Sequence, residues 1–286
     1  MKKLIERLLI FFLGLPLLLA IVIFLPHKNH LCLNILIFIC GILGALEFQN
    51  ILKQKNLFIP PLEAAILGSI FPVLAILTVS FNLIGELVFF LIVMAAAIWL
   101  IVARIFSNKE EQGNFINRTA AGFMVMIYPG LFLSWIVLLS SLYYSEIIIA
   151  AFLLMVFLND SIAWTTGKLF GKNNRGFIPA SPNKSIAGFA GGLLASVAAG
   201  LLATILFPNI FISVINNNIL AGIILGLLTG LAAILGDLGE SVLKRSAGIK
   251  DSGFFIPGRG GILDSIDSIA LAAPVYYFAL IFLFFV

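Results

Sequence analysis

Apolar runs of roughly 20 residues, separated by short polar breaks, recur along the whole chain, and each has the length a helix needs to cross the hydrocarbon core of a bilayer. They lie at Ile5 to Leu25, Leu31 to Phe48, Leu62 to Phe81, Leu87 to Phe106, Ala120 to Leu139, Glu146 to Phe170, Ile186 to Phe207, Ile219 to Leu235 and Ile266 to Val286. That makes about nine spans. The runs are continuously apolar rather than alternating, which excludes a transmembrane barrel and leaves helices to satisfy the backbone. The predicted fold is all-α, a polytopic integral membrane protein. The first run follows Lys2, Lys3 and Arg7 in the manner of a secretory signal. It is long and has no convincing small-residue cleavage site before Pro26, so it is expected to remain as an anchor.

Composition agrees with this pattern. With 62% hydrophobic and 10% charged residues, a soluble domain would lack the polar surface it needs. Lys and Arg sort into alternate connections: Lys2, Lys3 and Arg7; Lys53 and Lys55; Arg104, Lys109 and Arg118; Lys168, Lys172, Arg175 and Lys184; Lys244, Arg245, Lys250 and Arg259, with Lys28 alone on the other side. By the positive-inside rule the N-terminus is cytoplasmic and the C-terminus outside. The net charge of +4 then reflects topology and calls for no nucleic-acid partner. Cys32 and Cys40 are about 12 Å apart along one predicted helix, too far for a mutual disulfide, and are expected to be buried thiols. His27 and His30 have no Cys or acid nearby to complete a metal site.

Chemistry is expected in the second half. Residues 1–141 form a hydrophobic region whose few acids, such as Glu47 and Glu63, suggest none, whereas residues 142–286 form the catalytic region. Within it, the signature loop 241–267 holds four basic residues, three acids and five glycines. Charges are costly near a bilayer, so such a cluster is a functional-site hypothesis by default. Asp237 lies about 27 Å along its helix from Ile219. With Asp160, Asp264 and Asp267 it is expected in the cytoplasmic third of the bilayer, whereas a transporter would favour the midplane. Asp264 and Asp267 are three apart and share a helix face. Joined by Asp237, and more weakly by Asp160, they suit a hard cation such as Mg2+, as one or two ions. Asp is also favoured in a first helical turn, which would explain Asp264 or Asp267 alone.

Gly258, Arg259, Gly260 and Gly261 precede that helix and form a natural anion seat, with Lys244, Arg245 and Lys250 adding positive charge. The connection after the sixth span offers Asn159, Lys168, Lys172, Ser181 and Lys184 beside Gly167, Gly171 and Gly188, although it fails the P-loop pattern. Glycines at helical spacing, Gly188, Gly191 and Gly192 and then Gly222, Gly226 and Gly230, signal close helix packing and make a homodimer plausible.

The run Ser241, Lys244, Arg245, Lys250, Asp251, Pro257, Gly258, Gly260, Gly261, Asp264 and Asp267 resembles the signature of the phosphatidate cytidylyltransferases, the CDP-diacylglycerol synthases. Asn159, Asp160, Gly167, Lys168, Ser181, Pro182, Lys184 and Gly188 are similar to that family's second block. Two positions depart: Arg259 stands where the family usually has His, and Ser265 where it usually has Arg. The resemblance implies cytidylyl transfer from CTP to phosphatidic acid, giving CDP-diacylglycerol and pyrophosphate at the cytoplasmic face of the inner membrane. In that scheme Asp237, Asp264, Asp267 and Asp160 hold metal. Lys244, Arg245, Lys250, Asp251 and Arg259 are the catalytic candidates, and Asn159, Lys168, Lys172, Ser181, Lys184, Ser241, Gly258, Gly260 and Gly261 bind substrate phosphates. A CTP-dependent transferase or kinase on another lipid, a transporter and an inactive paralogue are the alternatives.

Overall fold

The computed structural model describes residues 13–57, 59–102, 105, 113–256 and 260–285. Among the described residues the chain runs through nine helices of ten residues or more and contains no β-strand. They are α1 Leu15–Phe24, α2 His27–Lys53, α3 Pro61–Val79, α4 Glu86–Val102, α5 Phe115–Leu139, α6 Ser145–Phe170, α7 Ile186–Leu206, α8 Asn218–Ser246 and α9 Leu263–Phe284. Seven of the described helices, α2, α3 and α5 to α9, are long and apolar enough to cross a membrane, and α1 and α4 are shorter apolar helices. The chain is thus an all-α, multi-pass membrane protein. Leu62, Leu87, Leu194 and Phe282 are among the large apolar side chains left exposed, and in a bilayer lipid tails cover them.

Helix α8 exceeds its expected length by the most. Hydropathy ends the eighth span at Leu235, but α8 continues to Ser246, so the start of the signature region is helix and not loop. Asp237, Glu240, Ser241 and Lys244 recur there at helical spacing, a polar stripe that an apolar window does not register. Lys244 and Arg245 lie in the last turn, where positive charge complements the helix dipole. Gly248 then takes a left-handed φ of +73°, a helix-ending conformation that glycine adopts without strain.

The chain divides into two compact units, with boundaries after Phe24, Ser141, Val242 and Ser265. The first unit comprises residues 1–24, 142–242 and 266–286. Its helices pack through small residues: a Cβ on Gly226 of α8 would lie 2.7 Å from Val197 Cα of α7, and one on Gly192 would lie 2.8 Å from the Asn159 carbonyl oxygen of α6. Only hydrogen fits there, which is how membrane helices gain dispersion contact in the absence of a hydrophobic drive. These glycine rows are consumed inside the chain and therefore no longer argue for a homodimer. Tyr276 is fully buried, its ring 5.1 Å from that of Phe152 and its hydroxyl donating to Ile148 O at 2.9 Å.

The second unit comprises residues 25–141 and 243–265. Here α2, α3 and α5 meet at glycines: a Cβ on Gly41 would lie 2.7 Å from Gly68 O, and one on Gly130 would lie 3.2 Å from Gly68 O. A π-helical turn, Met126–Leu131, interrupts α5 around Pro129; proline lacks an N–H and crowds the preceding turn, and the wider coil accommodates it. Cys32 is exposed on α2 and Cys40 is half-buried. The expectation of two buried thiols thus fails, because a bilayer tolerates an apolar thiol on a lipid-facing flank.

Candidate active site

In the first unit the polar stripe of α8 meets the start of α9. Gly236 permits this, since a Cβ there would lie 3.2 Å from the Asp267 carbonyl carbon. Asp267 is 7% exposed, and its charged neighbours are Asp237, Asp160 and Glu240, all acidic. Ser268 fastens two of these acids, its N–H donating to Asp267 Oδ1 at 2.6 Å and its hydroxyl to Asp160 Oδ1 at 3.2 Å. Glu240 is fully buried. Lys184 forms an ion pair with Asp237, so one of the expected phosphate-binding lysines reaches this acid group.

The segment leading to Lys184 is ordered by local bonds. Arg175 donates to Gly167 O at 2.8 Å, and Ser185 caps α7 by accepting from Gly188 N at 3.1 Å. Gly167, Gly171 and Gly188 all crowd the Ser185 hydroxyl, so these glycines serve packing rather than a phosphate cradle. Lys168 and Lys172 are exposed, Lys168 with its ammonium 5.0 Å from the Trp164 ring centroid. Ser181 is half-buried and Ser241 buried. Asn159, expected at substrate, is 1% exposed and donates to Gly230 O at 3.3 Å; its amide joins α6 to α8 and is not offered to a ligand.

The second unit carries the rest of the signature. Lys244 Nζ pairs with Asp264 Oδ1. Asp264 Oδ2 accepts from Ser252 N at 2.9 Å, Gly261 N at 2.8 Å and the Ser252 hydroxyl at 2.9 Å. Gly260 has a φ of +112°, which a side chain would strain. Glu47 of α2 enters the same loop: its carboxylate accepts from Ile262 N at 3.0 Å, Leu263 N at 2.8 Å and the Ser252 hydroxyl at 3.0 Å. The anion seat foreseen at Gly260 and Gly261 is therefore already filled, since Asp264 and Glu47 take the free N–H groups that open α9. Asp264 likewise faces a lysine and loop donors in place of a free ligand position. Arg245, Lys250 and Asp251 are exposed, and the Arg245 guanidinium donates to Ile249 O at 3.1 Å. Ser265 donates to Gly261 O at 3.1 Å. Gly258 and Arg259 lie outside the described residues.

Among the described residues no three His, Cys, Asp or Glu side chains are arranged to hold a metal ion as they stand. The donor set nevertheless fits a hard divalent cation in kind. Asp267 is buried among three further carboxylates, oxygen donors of the kind such a cation takes.

A model of the cytidylyltransferase family matches residues 5–283. The chain belongs to this family. Among relatives of this chain, the phosphatidate cytidylyltransferase of Haemophilus influenzae is 40% identical over 134 residues, covering 46% of this chain and 44% of the relative. That of Synechocystis sp. is 42% identical over 127 residues, covering 43% and 40% respectively. The protein YnbB of Escherichia coli is 29% identical over 195 residues, covering 66% and 62%. The chain thus spans less than half the length of each of these two phosphatidate cytidylyltransferases.

Two acids at these sites, Glu240 and Glu47, lie outside the expected site residues. Glu240 stands three residues after Asp237 on the same helical face, and that spacing was the available signal. Glu47 is a lone acid in a membrane helix, which by itself marks a functional candidate.

Proposed function

We propose that this cytidylyltransferase transfers the cytidylyl group of CTP to phosphatidic acid, giving CDP-diacylglycerol and pyrophosphate. The observation that carries the reading is the gathering of Asp237, Asp160 and Glu240 around the buried Asp267, on helices of membrane-spanning length. A lipid phosphate at headgroup depth and a soluble triphosphate are both polyanions, so their mutual repulsion is the first obstacle. A divalent cation held by Asp160, Asp237 and Asp267, with Glu240 beside them, would supply charge neutralisation and Lewis acidity at the phosphates.

Lys184 and Lys244 are each held by a carboxylate in an ion pair. An ammonium held this way is kept near its working position, and a polyphosphate competes for it directly. Attack by a lipid phosphate oxygen forms the new P–O bond at the α-phosphorus, and the α–β bridging bond breaks toward pyrophosphate. Lysine charge stabilises that departing group, whose negative charge grows in the transition state. No general base is needed, because the lipid phosphate is ionised near neutral pH. Positioning and charge neutralisation thus carry the rate. In this reading the basic connections and the N-terminus face the cytoplasm, and the membrane is the inner one.

The test is incubation of purified protein with labelled CTP, Mg2+ and a panel of phosphatidic acid, an isoprenyl phosphate and an isoprenoid alcohol. Label in CDP-diacylglycerol with matching pyrophosphate release is expected. Release of CDP with a phosphorylated alcohol would replace this reading with a kinase, and label in the isoprenyl phosphate would change the acceptor. Absence of label in every lipid would overturn the transfer activity.

A further inference from the structure

We propose that Glu47 is a positioning residue, which through the Ser252 hydroxyl and the first turn of α9 holds the signature loop so that Asp264 presents Lys244 to substrate phosphate. This inference rests on the phosphoryl-transfer reading above.

Glu47 lies in an apolar helix and is 5% exposed, an environment that penalises a carboxylate unless it is richly hydrogen-bonded. It receives three donors, the N–H groups of Ile262 and Leu263 and the Ser252 hydroxyl. A helix start normally draws such an acceptor from its own N-cap side chain. Here it comes from more than 200 residues earlier in the chain. The loop is also shaped around this carboxylate: a Cβ on Gly253 or Gly261 would collide with Glu47, from the Oε1 and Oε2 sides respectively. These two glycines face an acid, which explains their lack of side chains better than any turn requirement.

The Ser252 hydroxyl lies 3.0 Å from Glu47 Oε2 and 2.9 Å from Asp264 Oδ2. It has one proton for two acceptors, so the two carboxylates are linked through a single group. Asp264 in turn pairs with Lys244. The chain of contacts Glu47, Ser252, Asp264, Lys244 therefore runs from a residue with no phosphate to meet to one that meets it. Loss of Glu47 leaves the Ile262 and Leu263 N–H groups without their acceptor, and both ends of the loop are free to shift.

The test uses full-length wild type, Glu47→Gln, which keeps the shape but offers one acceptor oxygen in place of two, and Gly253→Ala, which presses a methyl group on Glu47 without changing its charge. For both variants kcat for cytidylyl transfer should fall about 10- to 100-fold, with KM for CTP within about threefold of wild type. Hydrogen exchange at Ile262 and Leu263 should rise by about tenfold or more, while exchange in α6 and α7 stays unchanged. Wild-type kcat in both variants would overturn the proposal, as would lost turnover with unchanged exchange at Ile262 and Leu263. If Glu47→Gln fails to insert, Gly253→Ala decides alone by the same readings. If wild type itself transfers no cytidylyl group, the functional reading fails. Exchange at the two amides then judges the hold of Glu47 on the loop, and unchanged protection rejects it.

Discussion

At the scale of single residues, the two acids that open α9 have different work, although their spacing puts them on one helical face. Asp264 is saturated by Lys244, two backbone N–H groups and the Ser252 hydroxyl. Asp267 has acids for its charged neighbours. Asp264→Asn places an amide NH2 or a single neutral oxygen against a lysine and two N–H donors, and turnover should fall by about 100-fold or more, measured as label incorporated into lipid. Asp267→Asn removes one negative charge from the acid group. The Mg2+ concentration for half-maximal activity should then rise by about tenfold or more, whereas KM for phosphatidic acid should hold. A Mg2+ titration with unchanged midpoint would take Asp267 out of the metal site. The acids at 237, 264 and 267 were legible because polar residues stand out against hydrocarbon. Their division of labour was not, because spacing along one helix does not reveal which partner each carboxylate meets. Glu47 sits near a predicted cytoplasmic helix end, where an acid needs no further explanation; its partners, Ser252, Ile262 and Leu263, lie in a distant segment.

At the scale of helices, seven of the nine expected spans fall on described helices long and apolar enough to cross a membrane, and α1 and α4 are shorter, since burial in lipid imposes a length that composition must meet. Hydropathy failed where polar residues continue a helix, as in α8 beyond Leu235, and where backbone geometry departs from the α form, as in the π turn around Pro129. Reading glycines at helical spacing as packing sites anticipated Gly226, whose missing Cβ lets α7 and α8 approach. The glycines near Lys168 were legible only in part, since their role around Ser185 depends on a turn that no short motif encodes. A side chain at Gly226 must displace the backbone of α7, since the Val197 Cα lies 2.7 Å from where its Cβ would be. Gly226→Leu should destabilise the first unit by about 1–3 kcal/mol as an overpacking change, read as a lower thermal midpoint in detergent. An unchanged midpoint would mean that α7 and α8 separate without cost.

At the scale of the whole molecule, the chain passes between its two units four times, at 24, 141, 242 and 265. A division into an N-terminal hydrophobic part and a C-terminal catalytic part, natural from the distribution of charge, therefore cuts across the second unit. Residues 243–265 belong with residues 25–141, and the bonds from Glu47 to Ser252, Ile262 and Leu263 are a direct expression of that. A fragment of residues 142–286 keeps Asp160, Asp237, Glu240 and Asp267 and every residue of the signature, yet it loses the acceptor at the start of α9. Charge patterning alone would expect such a fragment to retain the chemistry; the hydrogen bonds argue that it does not. Expressed alone in membranes, it should insert and give no transfer above background, with rapid exchange at Ile262 and Leu263. Co-expressed with residues 1–141, it should regain protection at those two amides together with measurable CDP-diacylglycerol formation. Co-expression with residues 1–141 carrying Glu47→Gln should restore neither. Full activity from the isolated fragment would mean that the N-terminal helices only anchor the chain and that the loop holds its conformation unaided.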